Sequence, residues 1–193
     1  ATMKKQLRFA VEQDAPELLE IYRPYVETNS ITFETEVPTV EKFAERIRDT
    51  LTKFPYLVIE EDGKILGYAY AHPFHTRAAY GWTVESSVYV RQDVRHGHIG
   101  TLLYEALMER LSNQGVCNVC AVVTVPNEPS VAFHKRMGFA SAGILPNFGY
   151  KMDEWHGVEY LYRRLKPVDQ PPKPLLPPSE LPPELLGPVM LDR

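Results

Sequence analysis

Apolar positions recur along the chain in two rhythms, one of period two and one of period near 3.6. Leu7 to Val11 reads as a first strand. Asp14 then offers an N-cap, and Leu18, Leu19, Tyr22, Tyr25 and Val26 mark one face of a helix from Ala15 to about Glu27. Asn29 to Val37 is polar and aromatic, a loop closed by Pro38. Thr39 caps a second helix to about Lys53, with Val40, Phe43, Ile47 and Leu51 on one face. Leu57 to Glu60 and Ile65 to Ala71 flank Glu61-Asp62-Gly63-Lys64, and Asp-Gly between strand-like runs predicts a hairpin. His72 to Gly81 reads as a loop and Trp82 to Val90 as a strand.

Leu102, Leu103, Ala106, Leu107 and Leu111 place a third helix from Gly100 or Thr101 to near Gly115. The apolar, β-branched run to Val125 predicts a strand. Asn127 and Pro129 open a helix that Gly138 ends. Tyr150 to Trp155 and Val158 to Leu165 are the last strand-like runs, with His156-Gly157 as the turn between them. The order predicts an α+β fold, a mixed, mostly antiparallel sheet with flanking helices.

Composition changes this picture at one place. Nine of the 17 prolines lie from Pro167 onward, so residues 1–166 read as one domain and 167–193 as a proline-rich tail, packed on the surface or disordered. Through Pro178 the tail cannot form a helix or a central strand, because proline lacks an amide hydrogen and fixes φ. A length of 193 residues suits one core, and 44% hydrophobic with 24% charged residues is ordinary for a globular chain. A net charge of −4 gives no electrostatic basis for binding nucleic acid or an anionic membrane. No run reaches the roughly 18 to 20 apolar residues that a membrane span needs. Lys4-Lys5 is followed by no apolar run of the signal-peptide kind, so a cytoplasmic location is expected.

Cys117 and Cys120 stand as C-x-x-C, but on a strand, where positions three apart face opposite sides. They read as structural residues. The pairs His96/His98 and His72/His75 have no adjoining acidic or cysteine ligands, so no metal is expected.

The segment from Val88 to Tyr104 reads strand, glycine-bearing loop, helix. Backbone amides of His96, Gly97, His98, Ile99, Gly100 and Thr101 would gather at a helix N-terminus, an anion site suited to a pyrophosphate, with Arg95 adding charge. The pattern from Arg95 to Gly100 resembles the acetyl-CoA motif R/Q-x-x-G-x-G/A of the GNAT N-acetyltransferases, with His98 at the middle glycine and Gly97 one position early. Asn127 to Phe139, an Asn-led helix ending in Gly-Phe, resembles the second signature of that family. Ser30 to Glu36 and Arg77 to Val90 are similar to the branch that acetylates phosphinothricin and related amino acid analogues. The resemblance spans nearly the whole chain.

That resemblance implies acetyl-CoA as co-substrate, a small amino acid analogue as acceptor, and a homodimer. It makes Glu85 the general base for the acceptor ammonium, with a pKa raised by partial burial beside Trp82, Val84 and Val88. It makes His134 the acid for the departing thiolate, or a proton relay. Val88, Tyr89 and Val90 would offer backbone hydrogen bonds to the pantetheine arm, and Asn127 and Ser130 would contact the cofactor. Arg77, with forked donors, and His75 would meet the acceptor's anions, and Phe33 and Tyr80 would wall its pocket. On the residues alone, Glu85 could equally be a surface ion-pair partner, His134 a solvent-facing helix residue, and Phe33 and Tyr80 core packing. A GNAT enzyme for another small amine and a non-catalytic acetyl-CoA-binding module are the competing functions.

Overall fold

The computed structural model describes residues 4–94 and 97–191. Within them the strands are β1 (Lys5–Phe9), β2 (Tyr56–Glu61), β3 (Lys64–Pro73), β4 (Thr83–Val90), β5 (Asn118–Val125), β6 (Ala140–Lys151), β7 (Glu154–Arg164) and β8 (Val189–Leu191). The helices are α1 (Ala15–Glu27), α2 (Val40–Leu51), α3 (Ile99–Gln114), α4 (Glu128–Arg136) and the single turn α5 (Pro183–Leu186). One sheet runs β6-β7-β5-β4-β3-β2-β1-β8. Every neighbouring pair is antiparallel except β4 with β5.

Both faces of the central sheet are covered, which is why β2 reads as an unbroken apolar run. Leu57 and Ile59 enter the core under α3 and α4. Tyr56 and Val58 enter the core under α1 and α2. Local chemistry sets the ends of these elements. Thr39 Oγ1 accepts from the Lys42 amide at 3.1 Å and starts α2. Asp62 and Gly63 both take positive φ, 50° and 83°, as a two-residue hairpin turn of this hand requires. Gly115, at φ 103°, closes α3 with its amide on the carbonyls of Leu111 and Ser112.

Several boundaries differ from the sequence reading. β1 lies at Lys5–Phe9, pairing Leu7 with Ile59 and Phe9 with Leu57, and not at Leu7–Val11. Asp14 does not cap α1. Its carboxylate accepts from the Val11 amide at 2.8 Å and from the Arg8 fork at 2.8 and 2.9 Å, holding the short turn before the helix. β3 extends through His72 and Pro73, which pair with Glu85 and Val84. His156 and Gly157 are not a turn: they lie inside β7, opposite Gly149 and Val125. The turn is Met152-Asp153, at φ 56° and 61°.

The proline-rich segment runs from 167 to 177 without helix or strand and lies against the C-terminal end of α3 at Gln114 and Gly115. Trp82 Nε1 donates to the Lys173 carbonyl at 2.7 Å, and Leu176 and Gln114 exchange bonds of 2.8 and 2.9 Å. Arg110 Nε holds the Leu185 carbonyl at 3.1 Å, and Leu181 and Leu185 are buried. β8 then adds an edge strand to β1.

Candidate active site

The parallel pair β4–β5 is matched only from Thr83–Asn118 to Glu85–Cys120. Past Glu85 the two strands part, since β5 follows β7 while β4 stays with β3. A cleft of about 80 Å³ opens in the gap. Ser86 to Tyr89 form one wall, and Asn127, Ser130 and His134 of the α4 region line the other side. Unpaired backbone on a strand edge is a ready hydrogen-bonding rail for an extended ligand. One group of that rail is taken: the Tyr25 hydroxyl donates to the Val90 carbonyl at 2.6 Å.

The loop below the cleft feeds α3. Gly97 stands at φ 91° and His98 at φ 52°, both in the left-handed region that glycine enters most easily. His98 is exposed and its carbonyl accepts from the Leu102 amide at 3.0 Å. The amides of Ile99, Gly100 and Thr101 are in the first turn, where helical N–H groups have no partner within the helix. They sit at the positive end of a 16-residue helix, a fit for an anionic ligand. Arg95 and His96 lie outside the described residues.

His134 is buried, at 5% exposure, so it is not a solvent-facing helix residue. Its Nδ1 lies 2.7 Å from the Ser130 carbonyl, which can only accept, so that nitrogen carries a proton. Burial lowers the pKa of the ring against the opposing Ser130 bond, which keeps it neutral at pH 7. Nε2 is then a lone pair and accepts from the Tyr104 hydroxyl at 3.2 Å. Tyr104 in turn lies 3.0 Å from Ser86 Oγ, the donor to it in this arrangement. Asn127 Oδ1 caps α4 by accepting from the Ser130 amide at 3.3 Å.

Glu85 projects from the other face of β4. Val84 and Val88 alternate with it and pack into the core under α3, so they are not its neighbours. Its carboxylate instead meets His72 Nε2 at 3.3 Å, with the glutamate side chain 28% exposed. Tyr70, Tyr160 and the Cys120 thiol all feel its charge. Burial pushes Cys120 up to about 12, so it stays a thiol. Both cysteines are buried and unpaired, and the described residues hold no cluster of three metal-ligating side chains.

The four acceptor-side residues do not come together within one chain. His75, Arg77 and Tyr80 line a separate cavity of about 500 Å³, walled by Phe54 and the tail residues Leu175 to Pro177. Phe33 lies under the β6–β7 hairpin, its ring 6.3 Å from His156 and against Gly149, where a Cβ would collide with it. Lys151 Nζ fastens that loop by donating to the carbonyls of Tyr25 and Thr32 at 3.2 and 2.9 Å. Sequence reasoning assigned no role to Tyr104, His72 or Lys151. Tyr104 carried one signal, a hydroxyl on an otherwise aliphatic helix face. The other two are placed by strand register, which no local pattern encodes.

A mixed sheet with one parallel pair splayed over a helix N-terminus makes a cradle that suits an extended ligand with an anionic end, the shape of a coenzyme A thioester. Family comparison makes this specific: residues 7–157 match the acetyltransferase (GNAT) domain, and the chain belongs to that family. The chain is 35% identical to phosphinothricin N-acetyltransferase of Streptomyces viridochromogenes over 91% of its length and 96% of the relative's. It is 33% identical to the L-methionine sulfoximine/L-methionine sulfone acetyltransferase of Pseudomonas aeruginosa, covering 88% of this chain and all of that one. Among solved structures, a GNAT superfamily phosphinothricin acetyltransferase from Sinorhizobium meliloti, in complex with acetyl-CoA, superposes with a TM-score of 0.83 at 30% identity, covering 93% and 96% of the two chains. The protein is therefore an acetyl-CoA-dependent N-acetyltransferase.

Proposed function

We propose that this enzyme acetylates the amine of phosphinothricin or a related amino acid analogue, such as methionine sulfoximine or methionine sulfone. The observation that carries the reading is the divergence of β4 and β5 just past Glu85, which opens the cleft from Ser86, the next residue of β4. The names of the relatives supply the acceptor class. The open edge of β4 and the first-turn amides of α3 suit the pantetheine arm and pyrophosphate of acetyl-CoA. Asn127 and Ser130 line the same cleft.

An ammonium has no lone pair for attack on a thioester, so Glu85 removes its proton, directly or through water. His134, neutral and with Nε2 turned to the Tyr104 hydroxyl, is in the state of a relay and not of an acid. Burial keeps the Tyr104 phenol protonated, so its O–H, held between Ser86 Oγ and His134 Nε2, passes to the departing thiolate, and the phenolate regains a proton from water once the thiol has left. Arg77 and His75 serve the acceptor's anions from a second copy, because within one chain they line a different cavity. A homodimer through β6 and β7 fits this, as the β6–β7 hairpin exposes Ile144, Phe148 and Tyr150 of β6 and Trp155 of β7, and β6 is the edge strand of the sheet. Two buried free thiols suit a reducing, cytoplasmic setting.

The test is the pH profile of Glu85→Ala with an amino acid analogue as acceptor. Turnover should fall at neutral pH by about 100-fold or more and recover at high pH, where the amine is already neutral. A variant with the wild-type profile removes Glu85 as the base.

A further inference from the structure

The imidazole of His72 lies between Glu85 and water, and nothing in the mechanism above uses it. Its Nδ1 is 3.0 Å from the Pro73 carbonyl, which can only accept, so Nδ1 keeps a proton. Anything exchanged with Glu85 therefore passes through Nε2, 3.3 Å from Glu85 Oε2. The histidine side chain is 40% exposed against 28% for the glutamate, so the pair is graded toward solvent. Strand register fixes it: His72 of β3 lies directly opposite Glu85 of β4.

We propose that His72 is the proton exit of Glu85, discharging to bulk water the proton that the base takes from the acceptor ammonium. The inference rests on the reading of Glu85 as the base. In the resting pair His72 is the imidazolium, with one nitrogen donating to a carbonyl and the other to a carboxylate. The Glu85 bond raises its pKa against the cost of burial. When Glu85 takes the amine's proton, an N–H bond breaks and an O–H bond forms, and the carboxylate that favoured the imidazolium is gone. His72 then releases its Nε2 proton to water. The freed Nε2 takes the proton from Glu85, which restores the pair. One proton has moved from amine to solvent, and no electron has changed hands.

The surrounding groups do not compete near neutral pH. Tyr70 on β3, Tyr160 on β7, Tyr104 on α3 and Cys120 on β5 are all pushed up by burial and keep their protons. Glu34 and Arg46, whose charges reach Tyr70, are bound to each other in a two-pronged pair of 2.6 and 2.9 Å.

The experiment measures kcat against pH for wild type, His72→Ala, His72→Gln and Glu85→Gln, at saturating acetyl-CoA and acceptor. Glutamine keeps a hydrogen-bond donor for Glu85 but cannot titrate, so it separates proton transfer from mere support of the carboxylate. Both His72 variants should lose roughly tenfold in kcat near neutral pH, with the acid limb moved to higher pH. Added imidazole should restore His72→Ala, whose ring site is open to solvent, and leave His72→Gln unchanged. If Glu85→Gln is inactive while both His72 variants keep the wild-type kcat and profile, the relay is wrong and the base reading stands. If Glu85→Gln retains wild-type turnover, the base reading fails and the relay with it.

Discussion

Replacing Gly67 by alanine tests whether β3 and α3 are packed at the distance that sets up the cofactor cradle. Gly67 lies in β3 opposite Val90. A Cβ there would sit 2.9 Å from the Tyr89 carbonyl oxygen, 3.1 Å from Ile99 Cγ2 and 3.3 Å from Leu103 Cδ1. The first contact is with backbone and cannot rotate away. The other two belong to the first turns of α3, so relief comes by lifting the helix N-terminus. Overpacking of this kind costs about 1–3 kcal/mol. The loss of chain entropy in the unfolded state returns about 0.4–1 kcal/mol when glycine becomes alanine. The net loss lies between about 0 and 2.6 kcal/mol, and its midpoint of roughly 1.3 kcal/mol is about 3–5 °C in Tm for a domain of this size. Because the displaced turn carries the amides of Ile99 to Thr101, KM for acetyl-CoA should rise several-fold while KM for the acceptor holds. Thermal unfolding by circular dichroism and steady-state kinetics read the two effects. A Tm equal to or above wild type, with an unchanged KM for acetyl-CoA, would refute the packing argument.

Three further outcomes follow from contacts elsewhere in the fold. Lys151→Met leaves the carbonyls of Tyr25 and Thr32 without their shared ammonium, and should cost about 2–4 kcal/mol in urea unfolding; a loss below about 0.5 kcal/mol would mean the lysine does not fasten the loop. Burial favours protonating Asp14, but the Arg8 fork and the Val11 amide outweigh it and hold its pKa below the ordinary value. The stability it adds is complete above the unfolded carboxyl's pKa and is lost as pH falls through the folded one. The gap between wild type and Asp14→Asn should thus close below about pH 4, and a constant gap would contradict the ion pair. Tyr104→Phe removes the hydroxyl between Ser86 and His134, and should lower kcat with little change in either KM; wild-type kcat would remove it from the proton chain.

The sequence was most readable where structure is local. Thr39, Asp62-Gly63 and Gly115 each act within about a turn of their own position, Thr39 through its hydroxyl and the others through their backbone, and lie where the pattern places them. The α+β class followed from the order of elements, and the family resemblance agrees with the match over residues 7–157. β6 was hidden for a physical reason. As an edge strand exposed along nearly its whole length, it shows no alternation of buried and solvent positions, and its first four residues are only alanine, serine and glycine. The turn at Met152-Asp153 uses non-glycine residues at positive φ, so Gly157 drew the reading four residues too far. At the site, the strand pattern placed Glu85 on β4 but mistook its company, because Val84 and Val88 face the other way. His72 read as loop, and its meeting with Glu85 depends on β3–β4 register, a tertiary fact.

Acceptor-dependent thiol release from acetyl-CoA tests the central claim most directly, with phosphinothricin, methionine sulfoximine and methionine sulfone supplied in turn. The account predicts saturable release with at least one of the three, accompanied by the N-acetylated product. Release no faster than hydrolysis in the absence of acceptor, with all three, would contradict it.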